Sequence, residues 1–199
     1  MEKFEVWAQP WWVNLLVLVP FVVFFLWRRE GLLLRWRQLI ILAGFAAAFG
    51  FVEAAAVVYL RAAAGLLPGY AGTLADVQRS AGIYLPAQSI SQFPQSLLIV
   101  ELFREAASMV ILASVAWLAA PNVRERWASF LWVFATWDIT YYAGLWATVR
   151  WPSSLKDLDV LFLIPVPWVS QVWFPVVVSA LTLLAVALAR TDAADTKAK

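Results

Sequence analysis

Four acids stand inside long apolar stretches of this chain: Glu53, Glu101, Glu105 and Asp138, with Arg104 set between two of them. On insertion scales an ionisable residue at mid-membrane costs about 2.5 to 3.5 kcal/mol, so such groups must face a bundle interior, a partner or water. Glu101 and Glu105 are one helical turn apart and repel if both are charged, while Arg104 reaches Glu101 at i+3. Four carboxyls face one clear cation, and Arg61 can snorkel back from the end of its stretch. Desolvation and like charge both favour a neutral carboxyl, so at least one of the four is protonated near neutral pH or holds a cation. Neutral carboxyls beside ionised ones are the raw material of general acid–base work. Tyr141 and Tyr142 follow Asp138 at i+3 and i+4 on one helix face, and Trp137 and Trp146 add aromatic surface nearby.

The chain has no Cys and no His. That excludes thiol nucleophiles, thiolate or imidazole metal sites and a Ser-His-Asp triad. No cofactor is expected, although Mg²⁺, Ca²⁺ or Mn²⁺ would accept an all-carboxylate site. The net charge of +2 is too small to argue for nucleic acid.

These residues need elements to position them, and the composition says which. Of 199 residues, 63% are hydrophobic and 14% charged, with 13 Trp; mean hydropathy is +0.76. Soluble domains are typically about 45–50% apolar and about 25% charged. The expectation is an all-α, polytopic transmembrane bundle forming a single domain over 1–190, with a polar tail at 191–199. A spanning helix needs about 20 mostly apolar residues. Five stretches qualify: 11–27, 39–60, 97–118, 130–149 and 168–189. Residues 157–167 are too short to span and end in Pro165-Val166-Pro167, so they read as a re-entrant or interfacial segment. The loop 62–96 reads as a lid lying on the bundle, with a short helix over 74–82.

Basic residues cluster at Arg28, Arg29, Arg35, Arg37, Arg124, Arg126 and Arg190, which puts the N-terminus outside and the C-terminus in the cytoplasm. With that orientation Glu53, Glu101, Arg104 and Glu105 share the outer half of the membrane, and Asp138 lies near its middle. A single cavity open to the outside is the simplest arrangement. The remaining tryptophans read mostly as an aromatic belt. Small residues around Glu53 (Ala46 to Ala48, Gly50, Ala54 to Ala56) permit close helix approach.

The run Trp137-Asp138-Ile139-Thr140-Tyr141-Tyr142, then Trp151-Pro152, then Leu161 to Trp168 (LFLIPVPW), resembles segments of small, uncharacterised polytopic inner-membrane proteins of bacteria. The resemblance covers roughly the last third of the chain. It implies a bacterial inner-membrane location and no particular activity.

Three functional classes fit. The first is an acid–base membrane enzyme, a cyclase, isomerase or hydratase acting on an isoprenoid or another lipid. Asp138 or Glu53 would be the acid and Glu101 or Glu105 the base. Arg104, Trp137, Tyr141, Tyr142 and Trp146 would bind substrate. The second is a proton- or cation-coupled transport module. The third is a non-catalytic subunit that docks a membrane partner. The expected partners are membrane lipid and an apolar or amphipathic small molecule. Against all three stands a plain alternative: buried acid–Arg and acid–Tyr pairs that merely hold helices together, at about 0.6 kcal/mol per hydrogen bond.

Overall fold

The computed structural model describes residues 7–63 and 94–191. Residues 64–93 of the expected lid, with its short helix, and almost all of the polar tail lie outside the described residues. A 3₁₀ segment, Trp11–Leu18, runs into α1 (Val19–Arg28), followed by α2 (Trp36–Ala63), α3 (Gln95–Ala119) and α4 (Val123–Val149). Two short strands, β1 (Leu158–Phe162) and β2 (Trp168–Gln171), precede α5 (Trp173–Ala189).

Two of these helical runs are long and apolar enough to cross a membrane: Trp11–Arg28, of 18 residues, and Trp36–Ala62, of 27. Only 17% and 28% of their most apolar windows are buried, whereas the core helix of a soluble protein would be mostly buried. Large apolar side chains stand outward elsewhere too, among them Phe103, Leu118 and Leu188. Exposed apolar area on this scale marks a surface meant for lipid or another protein.

α4 is the hub. It packs most extensively on α2 and also against α3 and α5, while α1 lies along α5. The α2–α4 seam is close because small residues line it. A Cβ on Gly50 would collide with Thr140 and come within 2.7 Å of the Trp137 carbonyl oxygen. One on Gly144 would meet the Ala54 Cβ at 2.9 Å. α4 ends where Arg150 turns into the left-handed region (φ 58°), its N–H returning to the Trp146 carbonyl.

The 3₁₀–α1 run is tied at its two ends to β2 and to α5. Gln9 bridges Val169 by two backbone hydrogen bonds of 2.8 Å, and Leu32 donates to the Ala189 carbonyl at 2.8 Å. Gly31 makes the second tie feasible. Its φ is +73°, and any Cβ there would run into the Thr191 side chain.

The expected all-α class needs correction. The structure is mostly helical but carries an antiparallel two-stranded sheet where a re-entrant or interfacial segment was expected. Leu158 pairs with Gln171, Asp159 with Ser170, Val160 with Val169 and Phe162 with Trp168. Pro165 and Pro167 leave no N–H for a helix to use, so the chain turns there and satisfies its backbone strand to strand. The last helix accordingly begins at Trp173 rather than at 168.

Candidate functional site

Glu53 is buried on α2 and crosses to α3. Its Oε2 pairs with the Arg104 guanidinium, and its Oε1 accepts a hydrogen bond from Ser108 Oγ at 2.9 Å. Arg104 also donates to Glu101 through Nε (3.1 and 3.2 Å) and Nη2 (2.8 Å). One guanidinium thus serves two carboxylates from two helices. The i+3 pairing expected from sequence is present, and the partner of Glu53 is a residue the local sequence could not show.

Glu105, one turn along α3, faces the hairpin. Its carboxylate accepts from the Leu163 N–H at 2.9 and 3.1 Å and from the Ile164 N–H at 3.2 Å. These donors follow β1, where the ladder no longer uses them. The carboxylate therefore acts as a latch that holds the hairpin turn against α3.

Asp138 does not bond the tyrosines that follow it. Its Oδ2 accepts from Ser179 Oγ on α5 at 2.7 Å. Its Oδ1 has no hydrogen-bond partner among the described residues, although the residue is only 9% exposed. Tyr142 instead donates to Oδ2 of Asp159 at 2.9 Å, and the Val160 N–H donates to Oδ1 at 2.8 Å. Asp159 is a further buried acid at the site, 2% exposed, which the sequence does not single out. Burial pushes its carboxyl up to about 7, against the lowering effect of the Tyr142 and Val160 bonds. The available signal was a lone acid in an otherwise apolar strand, Leu158-Asp159-Val160-Leu161-Phe162.

These groups enclose a polar cavity of about 90 Å³. All five acids line it, with Arg61, Arg104, Trp137, Tyr141 and Tyr142. Trp137 stacks on Tyr141 (ring centroids 6.2 Å apart) and tilts against Phe162 at 6.4 Å. Its indole N–H is buried with no hydrogen-bond partner among the described residues. Trp146 lies outside the cavity: it is 55% exposed, and the Arg150 guanidinium covers its ring at 4.7 Å. Of the residues expected to form the site, the structure brings together all but Trp146. Among the described residues, no three acids converge closely enough to hold a metal ion.

A second, apolar cavity of about 530 Å³ runs between α3, α4, α5 and the hairpin. Phe130, Phe134, Leu161, Phe162, Trp168 and Phe174 supply much of its wall. Its size falls within the range of about 300–1,000 Å³ usual for small-molecule sites. Glu105, Met109, Asp138, Leu161 and Phe162 line both cavities. The hairpin is thus a partition, polar on one side and apolar on the other, with two carboxyls at its foot.

Compared with protein-family models, curated proteins and solved structures, the chain matches none.

Proposed function

We propose that this is a five-span protein of the bacterial inner membrane, N-terminus outside, whose outward-facing pocket performs acid–base chemistry on an isoprenoid or similar lipid. The reaction would be of the cyclase, isomerase or hydratase type. One observation carries the reading: Asp138, buried and with one oxygen unbonded among the described residues, lines both the polar cavity and the apolar cavity.

The roles follow from the partners. Asp138 has only a neutral donor, Ser179, and suits the acid. Its proton would pass to an alkene carbon at the mouth of the apolar cavity, the π electrons forming the new C–H bond. The carbocation left behind is stabilised by the faces of Trp137 and Phe162; cation–π contacts reach about 2 kcal/mol or more when desolvated. Glu105, whose oxygens meet backbone N–H groups, would accept the proton lost from the neighbouring carbon. Glu53 and Glu101 are both committed to Arg104 and hold the frame. Tyr142, bonded to Asp159, fixes the opposite wall.

The test is native mass spectrometry with lipid extraction, comparing the wild type with Asp138→Asn. A co-purifying isoprenoid or lipid that the variant loses supports the reading. A monomer carrying no lipid in either form counts against it, and a stable partner chain would favour the subunit role instead.

A further inference from the structure

The head and tail of the ligand can be assigned from charge and shape, on the reading of this site as a lipid pocket. Five carboxyls line the polar cavity against two guanidinium groups. Arg104 is occupied by Glu53 and Glu101. Glu105, Asp138 and Asp159 receive hydrogen bonds only from neutral groups among the described residues. The side of the cavity toward the hairpin therefore carries three carboxyls whose hydrogen-bond donors are all neutral, with Arg61 and Arg104 acting on Asp159 and Glu105 at longer range. Aromatic rings (Trp137, Tyr141, Phe162) line the same space, and the face of such a ring carries negative electrostatic potential. The volume, about 90 Å³, is that of about three water molecules. An anionic phosphate head would be repelled by Asp138 in the ionised form left once it has given up its proton, whereas a small ammonium would pair with that form. The apolar cavity adjoins at Asp138 and Glu105 and has room for one chain.

We infer that the paired cavities bind a single-chain amphiphile with a compact, positively charged head, the head held at the unbonded oxygen of Asp138 and the chain lying between α3, α4 and α5. The same charge preference is what an enzyme passing through a carbocation needs. A long-chain amine therefore occupies the site as a stable mimic of that intermediate.

The test uses the full-length protein in detergent at pH 7 with three probes of one chain length: hexadecylamine, hexadecanol and hexadecyl phosphate. Binding is read by native mass spectrometry and by thermal shift. Hexadecylamine is expected to bind one per chain, at least about tenfold tighter than hexadecanol, with hexadecyl phosphate weakest. Asp138→Asn should remove the preference for amine while hexadecanol still binds. Val178→Trp, which fills the apolar cavity, should weaken all three alike. Equal binding of alcohol and amine by the wild type overturns the charge assignment and leaves the lipid pocket standing. An amine preference that survives Asp138→Asn overturns the placement of the head. Failure of all three probes to bind overturns both this inference and the lipid-pocket reading beneath it.

Discussion

Asp159 gives the site a dependence on pH that can be worked out. Its carboxyl titrates near 7 in the folded chain and near 3.8 when exposed, so the folded state holds the extra proton between those values. Stability therefore falls as pH rises from about 4 to about 7 and levels off above. Melting curves across that range should show the decline, and Asp159→Asn should flatten it. A wild-type profile already flat there would mean the carboxyl is wetter than its 2% exposure indicates. Arg104 makes a second prediction at this scale. Arg104→Ala leaves Glu53 and Glu101 buried without their cation, at a cost of about 3 kcal/mol. Glu53→Gln and Asp138→Asn should each destabilise less, because their remaining partners are neutral or can rebond. Thermal unfolding of the three variants in one detergent checks the order.

Among the elements, the hairpin and the α2–α4 seam are the two that the site depends on. Glu105→Ala should free the hairpin turn, read as faster hydrogen exchange at the Leu163 and Ile164 amides with α2 unchanged. Unaltered exchange there would mean that the strand pairing alone holds the turn. Gly50→Ala should cost about 1–3 kcal/mol, because the added methyl meets Thr140 and the Trp137 carbonyl at a closely packed seam. Unchanged melting would show that α2 can shift outward freely. The elements also show what the sequence made legible. Apolar runs locate every helix among the described residues, yet α4 starts at 123 rather than 130. Its first turns carry Arg124, Glu125 and Arg126, and hydropathy stops at charges where a helix does not. Four of the five cavity acids are legible because each is costly in a long apolar run; Asp159, in a strand of five residues, is not. Their partners were not, because Ser108, Ser179 and the hairpin amides become partners only through tertiary packing. Trp146 was misplaced because nearness in sequence was taken for nearness in space. Eight residues beyond Asp138, it points away from the cavity and stacks under Arg150.

For the whole molecule, the arrangement across the membrane is the remaining question. The five-span reading places Ser154 outside and Asn122 in the cytoplasm; both are exposed in the structure. Single cysteines at these positions, in a chain that has none of its own, should label oppositely with an impermeant thiol reagent. Ser154→Cys should react in intact cells and Asn122→Cys only after the membrane is opened. The reverse pattern would turn the cavity toward the cytoplasm.

The double tie of the 3₁₀–α1 run to β2 and α5 also bears on the order of manufacture. The ribosome delivers the first apolar segment long before the last, yet Gln9 finds its bridge on Val169 and Leu32 finds its acceptor on Ala189. The earliest helix must therefore wait in the bilayer, without those neighbours, until nearly all of the chain has emerged. Leu16 and Val19 wall the apolar cavity together with Phe174 and Val178, so this compartment is complete only once α5 has joined the first helical run. A nascent chain stalled before α5 would hold four of the five acids of the polar cavity on its helices and have nowhere to store a lipid tail.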